Sequence, residues 1–273
     1  MTDRYAVLGN PIGHSKSPLI HSLFAQATGQ DIGYTVIETP LNGFRDTVLG
    51  FRAGGGRGLN VSLPFKLQAF QIATEPSERA RLAGAANCLK FDGERILADN
   101  FDGVGLVNDL QRNLGCPLAG KRVLLLGAGG ATRGALLPVA DQAPALLAVA
   151  NRTADKAHEL RRDFADHAAL QTGGYDDLTG QAFDIVINAT SAGLSGEALP
   201  LPPGLFAPGA VAYDMVYGKG LTPFLKQARA AGVNTVADGV GMLVEQAAEA
   251  FAWWRGVRPE TRAVIQQLTV PLA

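Results

Sequence analysis

Val123-Leu124-Leu125-Leu126-Gly127-Ala128-Gly129-Gly130-Ala131-Thr132-Arg133-Gly134 is the stretch on which the reading of the whole chain turns. Its apolar run has the composition of a strand buried on both faces, and the glycine turn after it leads into a helix. Glycine lets the backbone approach a pyrophosphate closely, and the N-terminus of the next helix offers free N–H groups and the positive end of a dipole. The match to the Gly-x-Gly-x-x-Gly fingerprint is partial, because Thr132 stands in the third glycine position. A tight strand-to-helix turn without a ligand is the alternative reading. A second strand, Ala145 to Ala150, arrives where a βαβ unit requires it. Gly127, Ala128, Gly129, Gly130 and Ala131 are therefore candidate cofactor-binding residues.

The tip of that second strand selects the cofactor. NAD-binding units usually place a carboxylate there to accept from the ribose 2′-hydroxyl. This chain has Asn151-Arg152-Thr153, followed by Lys156. An arginine at this place stacks on adenine and pairs with a 2′-phosphate, so NADP(H) is favoured. The competing reading is a solvated helix start, with Asp155 between the two cations. Further strands are expected at Asp184–Asn188, Val211–Asp214 and Asn234–Ala237, with a long apolar-periodic helix from Gly241 to Trp254.

Working back toward the N-terminus, the first hundred residues also alternate strand-like and helical patterns. Strands are expected at Tyr5–Leu8, Tyr34–Ile37 and Gly58–Ser62, and a helix begins near Ser17-Pro18. Pro64 suits the first turn of another helix. Ala86–Phe91 and Arg95–Asp99 flank Asp92-Gly93, a strong hairpin signal. The fold class is α/β: an N-terminal three-layer α/β domain followed by a Rossmann-type domain. A domain boundary is expected around Asp102–Gly120, where a turn-rich stretch follows an amphipathic helix and a new βαβ pattern starts.

Length and composition agree with this division. At roughly 100–200 residues per domain, 273 residues make two. A net charge of -1 gives no reason to expect nucleic acid or a membrane surface as partner. No run of about 18 apolar residues is present, so no membrane span is expected. The N-terminal stretch Met1–Gly9 has no apolar run long enough for a signal peptide, so none is expected, and two distant cysteines, Cys88 and Cys116, suit a reducing, cytoplasmic setting. His14, His21, His158 and His167 do not have metal-ligand spacing, so no metal is expected. The sequence leaves the oligomeric state open, a homodimer included.

Polar residues cluster in the loops that follow the first-half strands, where ligands of open α/β sheets sit. They are Ser15, Ser17, Ser62, Lys66, Asn87 and Asp102. Hydroxyl, amide, ammonium and carboxylate groups together suit a polyhydroxylated carboxylic acid. Taken singly, each has a plainer explanation. Ser17 and Asp102 could cap helices, Lys66 could be a solvated surface lysine, Ser62 a strand-end hydroxyl, and Asn87 a turn residue.

In order along nearly the whole chain, the motifs resemble the shikimate dehydrogenase family. They are Gly9-Asn10-Pro11-Ile12-Gly13-His14-Ser15-Lys16-Ser17-Pro18, Asn60-Val61-Ser62-Leu63-Pro64-Phe65-Lys66, Gly84-Ala85-Ala86-Asn87 and Asp99-Asn100-Phe101-Asp102-Gly103. They continue through Gly127-Ala128-Gly129-Gly130-Ala131, Asn151-Arg152-Thr153, Asn188-Ala189-Thr190, Tyr213-Asp214-Met215-Val216-Tyr217 and Asp238-Gly239-Val240-Gly241-Met242-Leu243. The resemblance implies a division into 1–103 with 240–273 as a substrate-binding catalytic domain and 104–239 as the dinucleotide domain, with linkers near 103 and 238 as hinges, and it implies interconversion of 3-dehydroshikimate and shikimate with NADP(H). It implies that Ser15 and Ser17 hold the substrate carboxylate, that Ser62, Asn87, Asp102 and Gln246 bind its hydroxyls, and that Tyr217 lines the same site. It also implies that Met215, Gly239 and Met242 approach the nicotinamide, and it adds Thr190 to the cofactor contacts. Lys66, paired with Asp102, is expected to supply the proton or to stabilise the alkoxide electrostatically.

Four positions depart from the family pattern. Ser62 and Phe101 stand where threonine is usual, and Ala86 and Cys88 replace the usual valine and threonine beside Asn87. All four belong to substrate-facing loops, so they bear on pocket shape. The nearest rival is an NAD-preferring quinate/shikimate dehydrogenase of catabolism. A dehydrogenase of the methylene-tetrahydrofolate type has no reason to carry Asn60–Lys66, and a non-catalytic NADP-binding sensor should have lost Lys66 or Asp102.

Overall fold

Two six-stranded sheets organise the chain, seen in a computed structural model that describes residues 2–192, 196–218 and 220–272. The strands are β1 Asp3–Gly9, β2 Ile32–Glu38, β3 Gly56–Val61, β4 Glu75–Pro76, β5 Cys88–Asp92 and β6 Arg95–Asp99. They continue as β7 Arg122–Leu126, β8 Leu146–Ala150, β9 Leu170–Gly173, β10 Phe183–Asn188, β11 Phe206–Asp214 and β12 Thr235–Asp238. The helices are α1 Ser17–Thr28, α2 Phe44–Ala53, α3 Lys66–Ile72, α4 Glu78–Ala83, α5 Asp102–Asn108, α6 Gly130–Ala140, α7 Ala154–Asp163, α8 Pro223–Ala230, α9 Val240–Arg255 and α10 Arg262–Leu268. The chain divides into two units, Met1–Gly105 with Val244–Val264 and Leu106–Leu243 with Ile265–Ala273.

The first unit has strand order β2-β1-β3-β5-β6-β4. β1 runs parallel to β2 and β3, while the hairpin at Asp92-Gly93 makes β5 antiparallel to both β3 and β6. The sheet is therefore mixed. Tyr5, Ala6, Val7 and Leu8 are all buried, because both faces are covered. Ala6 and Leu8 pack with Phe44, Val48 and Phe65, from α2 and the turn before α3. Tyr5 faces the other way, into a cluster with Cys88, Phe101, Ala250 and Trp254. The Trp254 indole stacks on Tyr5 at 4.6 Å and donates to the Leu89 carbonyl at 3.0 Å. Gly58 makes room for it, since a Cβ there would lie 2.5 Å from the indole nitrogen.

His21 belongs to the same side of this sheet. It is fully buried and stacked on Tyr34 at 4.2 Å, and among the described residues neither ring nitrogen has a hydrogen-bond partner. Burial pushes its pKa down to about 3. The folded state thus resists a proton that the unfolded chain takes up near pH 6.5. Stability tied to His21 is complete above that pH and falls as the pH drops from 6.5 toward 3. In His21→Phe we expect a shallower loss of thermal stability across this window. The two proteins should diverge by about 2–3 kcal/mol near pH 4.5. Parallel Tm–pH curves would remove His21 from the acid response.

The second unit is all parallel, ordered β12-β11-β10-β7-β8-β9. Strand order reverses between β7 and β10, the switch point at which such sheets bind ligands. Leu124, Leu126, Ala148, Ala150, Val186 and Ala212 form the core under α8, where Phe224 and Leu225 are buried.

Two expectations need correction. Pro64 lies in the turn before α3, which starts at Lys66, and so is outside the helix. Residues 240–273 do not all join the first unit. The first crossing lies between Gly105 and Leu106, and α9 passes from the second unit to the first after Leu243. Ile265–Ala273 returns to the second unit, where Leu272 packs against its core.

Candidate active site

The first unit brings Lys66, Asn87, Asp102 and Gln246 together. Lys66 opens α3 just beyond β3, and Asp102 opens α5 just beyond β6. Lys66 Nζ lies 2.5 Å from Asp102 Oδ2, and both side chains are largely covered, 29% and 17% exposed. Lys66 is therefore paired and no solvated surface lysine. The other Asp102 oxygen accepts from Asn87 Nδ2 at 2.8 Å, so the carboxylate faces site groups instead of capping its own helix.

Asn87 stands at the root of the hairpin. Its backbone N–H donates to Asp99 O, and its carbonyl accepts from the Val61 N–H. Its Oδ1 accepts from the Phe101 N–H at 2.9 Å, which orients Nδ2 toward Asp102 and toward Gln246 Oε1, 3.2 Å away. Gln246 comes from α9, so one helix of the distant C-terminal segment completes the cluster.

Phe101 and Cys88 turn away from this cluster. The Phe101 ring is 4% exposed, packed edge-on to Trp253 at 5.7 Å with the Arg79 guanidinium over it. Cys88 is fully buried in the same region, and burial raises its thiol pKa well above the usual range. Their side chains fill the core beneath the loops, so the departures at 88 and 101 act on the site through packing.

Ser15 and Ser17 lie together at the start of α1. The Ser15 hydroxyl accepts from the Ser17 N–H at 3.2 Å, and Lys16 holds the cap position without a side-chain bond. The Ser17 hydroxyl is thus not the helix cap; it lies against Tyr34, whose phenol donates to Asn60 Oδ1 at 2.7 Å. Ser62 follows β3 and is tied by its N–H to Leu8 O. Gly9 permits that approach: a Cβ there would lie 2.8 Å from Ile12 Cδ1 and 3.1 Å from Ser62 Cβ.

In the second unit the glycine turn sits between β7 and α6, at the switch point. Gly127 has φ +103°, where a side chain would be strained and would meet Thr190 Cγ2 at 3.0 Å. A Cβ at Gly129 or Gly130 would meet nothing within 4 Å, so the turn leaves open space at the start of α6, where a pyrophosphate would fit. Thr132 fits the third fingerprint position because its buried hydroxyl donates to Gly127 O at 2.8 Å, closing the turn. At the tip of β8, Asn151 Nδ2 donates to Thr153 O, and Arg152 and Lys156 are exposed. These donors and cations fit an NADP phosphate set.

Thr190, Met215, Gly239 and Met242 follow β10, β11 and β12 in the same unit. Asn188 Oδ1 accepts from both the N–H and the hydroxyl of Thr190, and its Nδ2 donates to Asp214. Asp214 also accepts from Thr222 Oγ1 at 2.5 Å and from the Val216 N–H. Burial raises the Asp214 pKa, and these donors oppose the rise. Gly239 presses on the next loop, since a Cβ would lie 2.3 Å from Met215 O. Local sequence assigns no role to Asn188, Asp214 or Thr222, although polar residues ending the apolar strands β10 and β11 mark the first two. Tyr217 lies in this unit on an exposed loop, 42% accessible.

Among the described residues no group of histidine, cysteine and carboxylate side chains could hold a metal, and no helix is long and apolar enough to cross a membrane. A parallel sheet in Rossmann order with a glycine cradle at its switch point, joined to a unit carrying a lysine–carboxylate pair, defines a dinucleotide-dependent oxidoreductase. The match to known proteins is narrower. Residues 7–89 match the shikimate dehydrogenase substrate-binding domain, 109–195 match shikimate/quinate 5-dehydrogenase, and 239–269 match the shikimate 5′-dehydrogenase C-terminal domain. The NADP(+) shikimate dehydrogenase of Dechloromonas aromatica is 56% identical over 272 residues, covering 100% of this chain and 99% of that protein. The crystal structure of an Ael1 enzyme from Pseudomonas putida superposes with a TM-score of 0.97 at 59% identity, covering both chains fully. Shikimate 5-dehydrogenase of Thermus thermophilus, solved with NADP(H) and shikimate, gives 0.86 at 32% identity over 97% of this chain and 98% of its own. The chain belongs to the shikimate dehydrogenase family.

Proposed function

We propose that this chain catalyses the reversible NADPH-dependent reduction of 3-dehydroshikimate to shikimate, in the cytoplasm, as a step of aromatic amino-acid biosynthesis. The observation that carries the reading is the Lys66–Asp102 pair, held on its second carboxylate oxygen by Asn87 and backed by Gln246. Ser15 and Ser17 bind the substrate carboxylate with hydroxyls and the helix start. Ser62, Asn87, Asp102 and Gln246 take its hydroxyls.

The chemistry NADPH supplies when bound is a hydride for the ketone carbon. Lys66 Nζ gives the developing alkoxide a proton, or holds it electrostatically, and takes the proton back in reverse. Asp102 keeps the ammonium in place. Gly127, Ala128, Gly129, Gly130 and Ala131 cradle the pyrophosphate. Asn151, Arg152, Thr153 and Lys156 hold the 2′-phosphate end, and Thr190, Met215, Gly239 and Met242 face the nicotinamide.

Initial rates of cofactor reduction, with shikimate and quinate each paired with NADP and NAD, test the reading. A strong preference for shikimate with NADP is expected. Comparable rates with quinate or NAD would move the chain to the catabolic branch, and no turnover with any pair would leave a cofactor-binding sensor. Light scattering on the same preparation tests the homodimer.

A further inference from the structure

Asp109 and Tyr213 form a buried pair that none of the roles above uses. Asp109 opens a π-helical turn, Asp109–Asn113, at the end of α5, and Tyr213 lies on β11. Tyr213 is fully buried and Asp109 is 3% exposed. The phenol donates to Asp109 Oδ2 at 2.8 Å, and its oxygen accepts the N–H of Met242 at 3.3 Å. Asn113 Nδ2 donates to Asp109 Oδ1 at 2.9 Å. Gly241 completes the contact, because a Cβ there would lie 1.9 Å from Asp109 Oδ1. The carboxylate therefore rests against the backbone of the first turn of α9. Burial, then the Asp109 charge, pushes the Tyr213 phenol well above its usual range, so it stays a donor.

The N–H groups of a helix's first turn have no partner inside the helix, and here Tyr213 supplies one. A buried carboxylate–phenol pair is a costly way to fill space that apolar side chains would fill as well. Single π-turns interrupting helices are enriched at functional sites. We propose that Asp109 and Tyr213 are positioning residues for the cofactor, holding the first turn of α9 so that Met242 meets the nicotinamide end. The proposal rests on the reading of Met242 as a cofactor contact. Without the pair, the turn samples other arrangements, and apparent NADPH affinity falls with the fraction that remains competent.

The test is an NADPH fluorescence titration with steady-state kinetics, well below the unfolding temperature, on Tyr213→Phe, Asp109→Leu, Asp109→Asn and Met242→Ala. Tyr213→Phe and Asp109→Leu should raise the NADPH Kd about tenfold and leave the KM for shikimate within about twofold. Asp109→Asn, whose carbonyl still accepts the phenol proton, should keep most of the affinity. Combining Tyr213→Phe with Asp109→Leu should add little to either alone. Lowered Tm with unchanged NADPH Kd in these variants would reduce the pair to a structural role and overturn the proposal. An unaffected Met242→Ala would remove the underlying reading of Met242, and the proposal with it. Should Asp109→Leu not fold, Tyr213→Phe, which removes one oxygen, carries the test.

Discussion

Lys66→Ala is expected to lower kcat by about 1,000-fold while leaving the KM for shikimate within a few-fold of its starting value. The ammonium is the only cation bonded to Asp102 among the described contacts, at 2.5 Å, and Asn87 holds the carboxylate whether or not Lys66 is present. On the proposed reading the amides of Asn87 and Gln246 would still meet the substrate hydroxyls in the variant, so ground-state binding should survive. The loss falls on the transition state, where an alkoxide develops. Near-normal kcat would take Lys66 out of the chemistry. Lys66→Arg separates its two roles. A guanidinium keeps the charge but does not release its proton at working pH. Partial activity in that variant marks electrostatic stabilisation, and a loss as deep as alanine's marks proton transfer.

Arg152→Ala should lower kcat/KM for NADP by about 100-fold and leave the value for NAD within about twofold. Arg152 is exposed on the loop after β8, so its removal costs the fold little. The loop keeps its shape through the bond from Asn151 Nδ2 to Thr153 O. No carboxylate stands at the strand tip to favour a free 2′-hydroxyl, and Lys156 remains to account for residual preference. Equal losses with both cofactors would show that Arg152 stacks on the shared adenine or supports the loop and does not read the phosphate.

The parts of the fold legible in sequence are those where local chemistry and long-range packing agree. The buried run before Gly127, the Asp92-Gly93 hairpin and the periodic α9 all specify themselves. β4 is two residues long and β9 reads Leu-Gln-Thr-Gly, so neither carries an alternation to detect. The π-turn begins at Asp109, whose buried partner Tyr213 lies 104 residues away, outside any local window. Phe101 shows the same limit inside the site. Sequence places it beside Asp102, whereas Trp253 and Arg79 decide which way its ring points. The polar cluster was legible as a set of residue types, but its wiring was not. That Asn87 bridges Asp102 and Gln246 depends on a helix arriving from the far end of the chain.

That late arrival matters for biosynthesis on the ribosome. The first unit needs Val244–Val264, and in particular Trp254 against Tyr5, Gly58 and the Leu89 carbonyl. Its first 105 residues emerge well before that helix exists, separated from it by the whole of Leu106–Leu243. At usual elongation speeds the interval is on the order of ten seconds. Throughout it the sheet face bearing Tyr5, Cys88 and Phe101 lacks the helix that packs on it in the folded unit. The half of the enzyme made first therefore waits for its closing helix until all of the dinucleotide-binding half but Ile265–Ala273 has been translated.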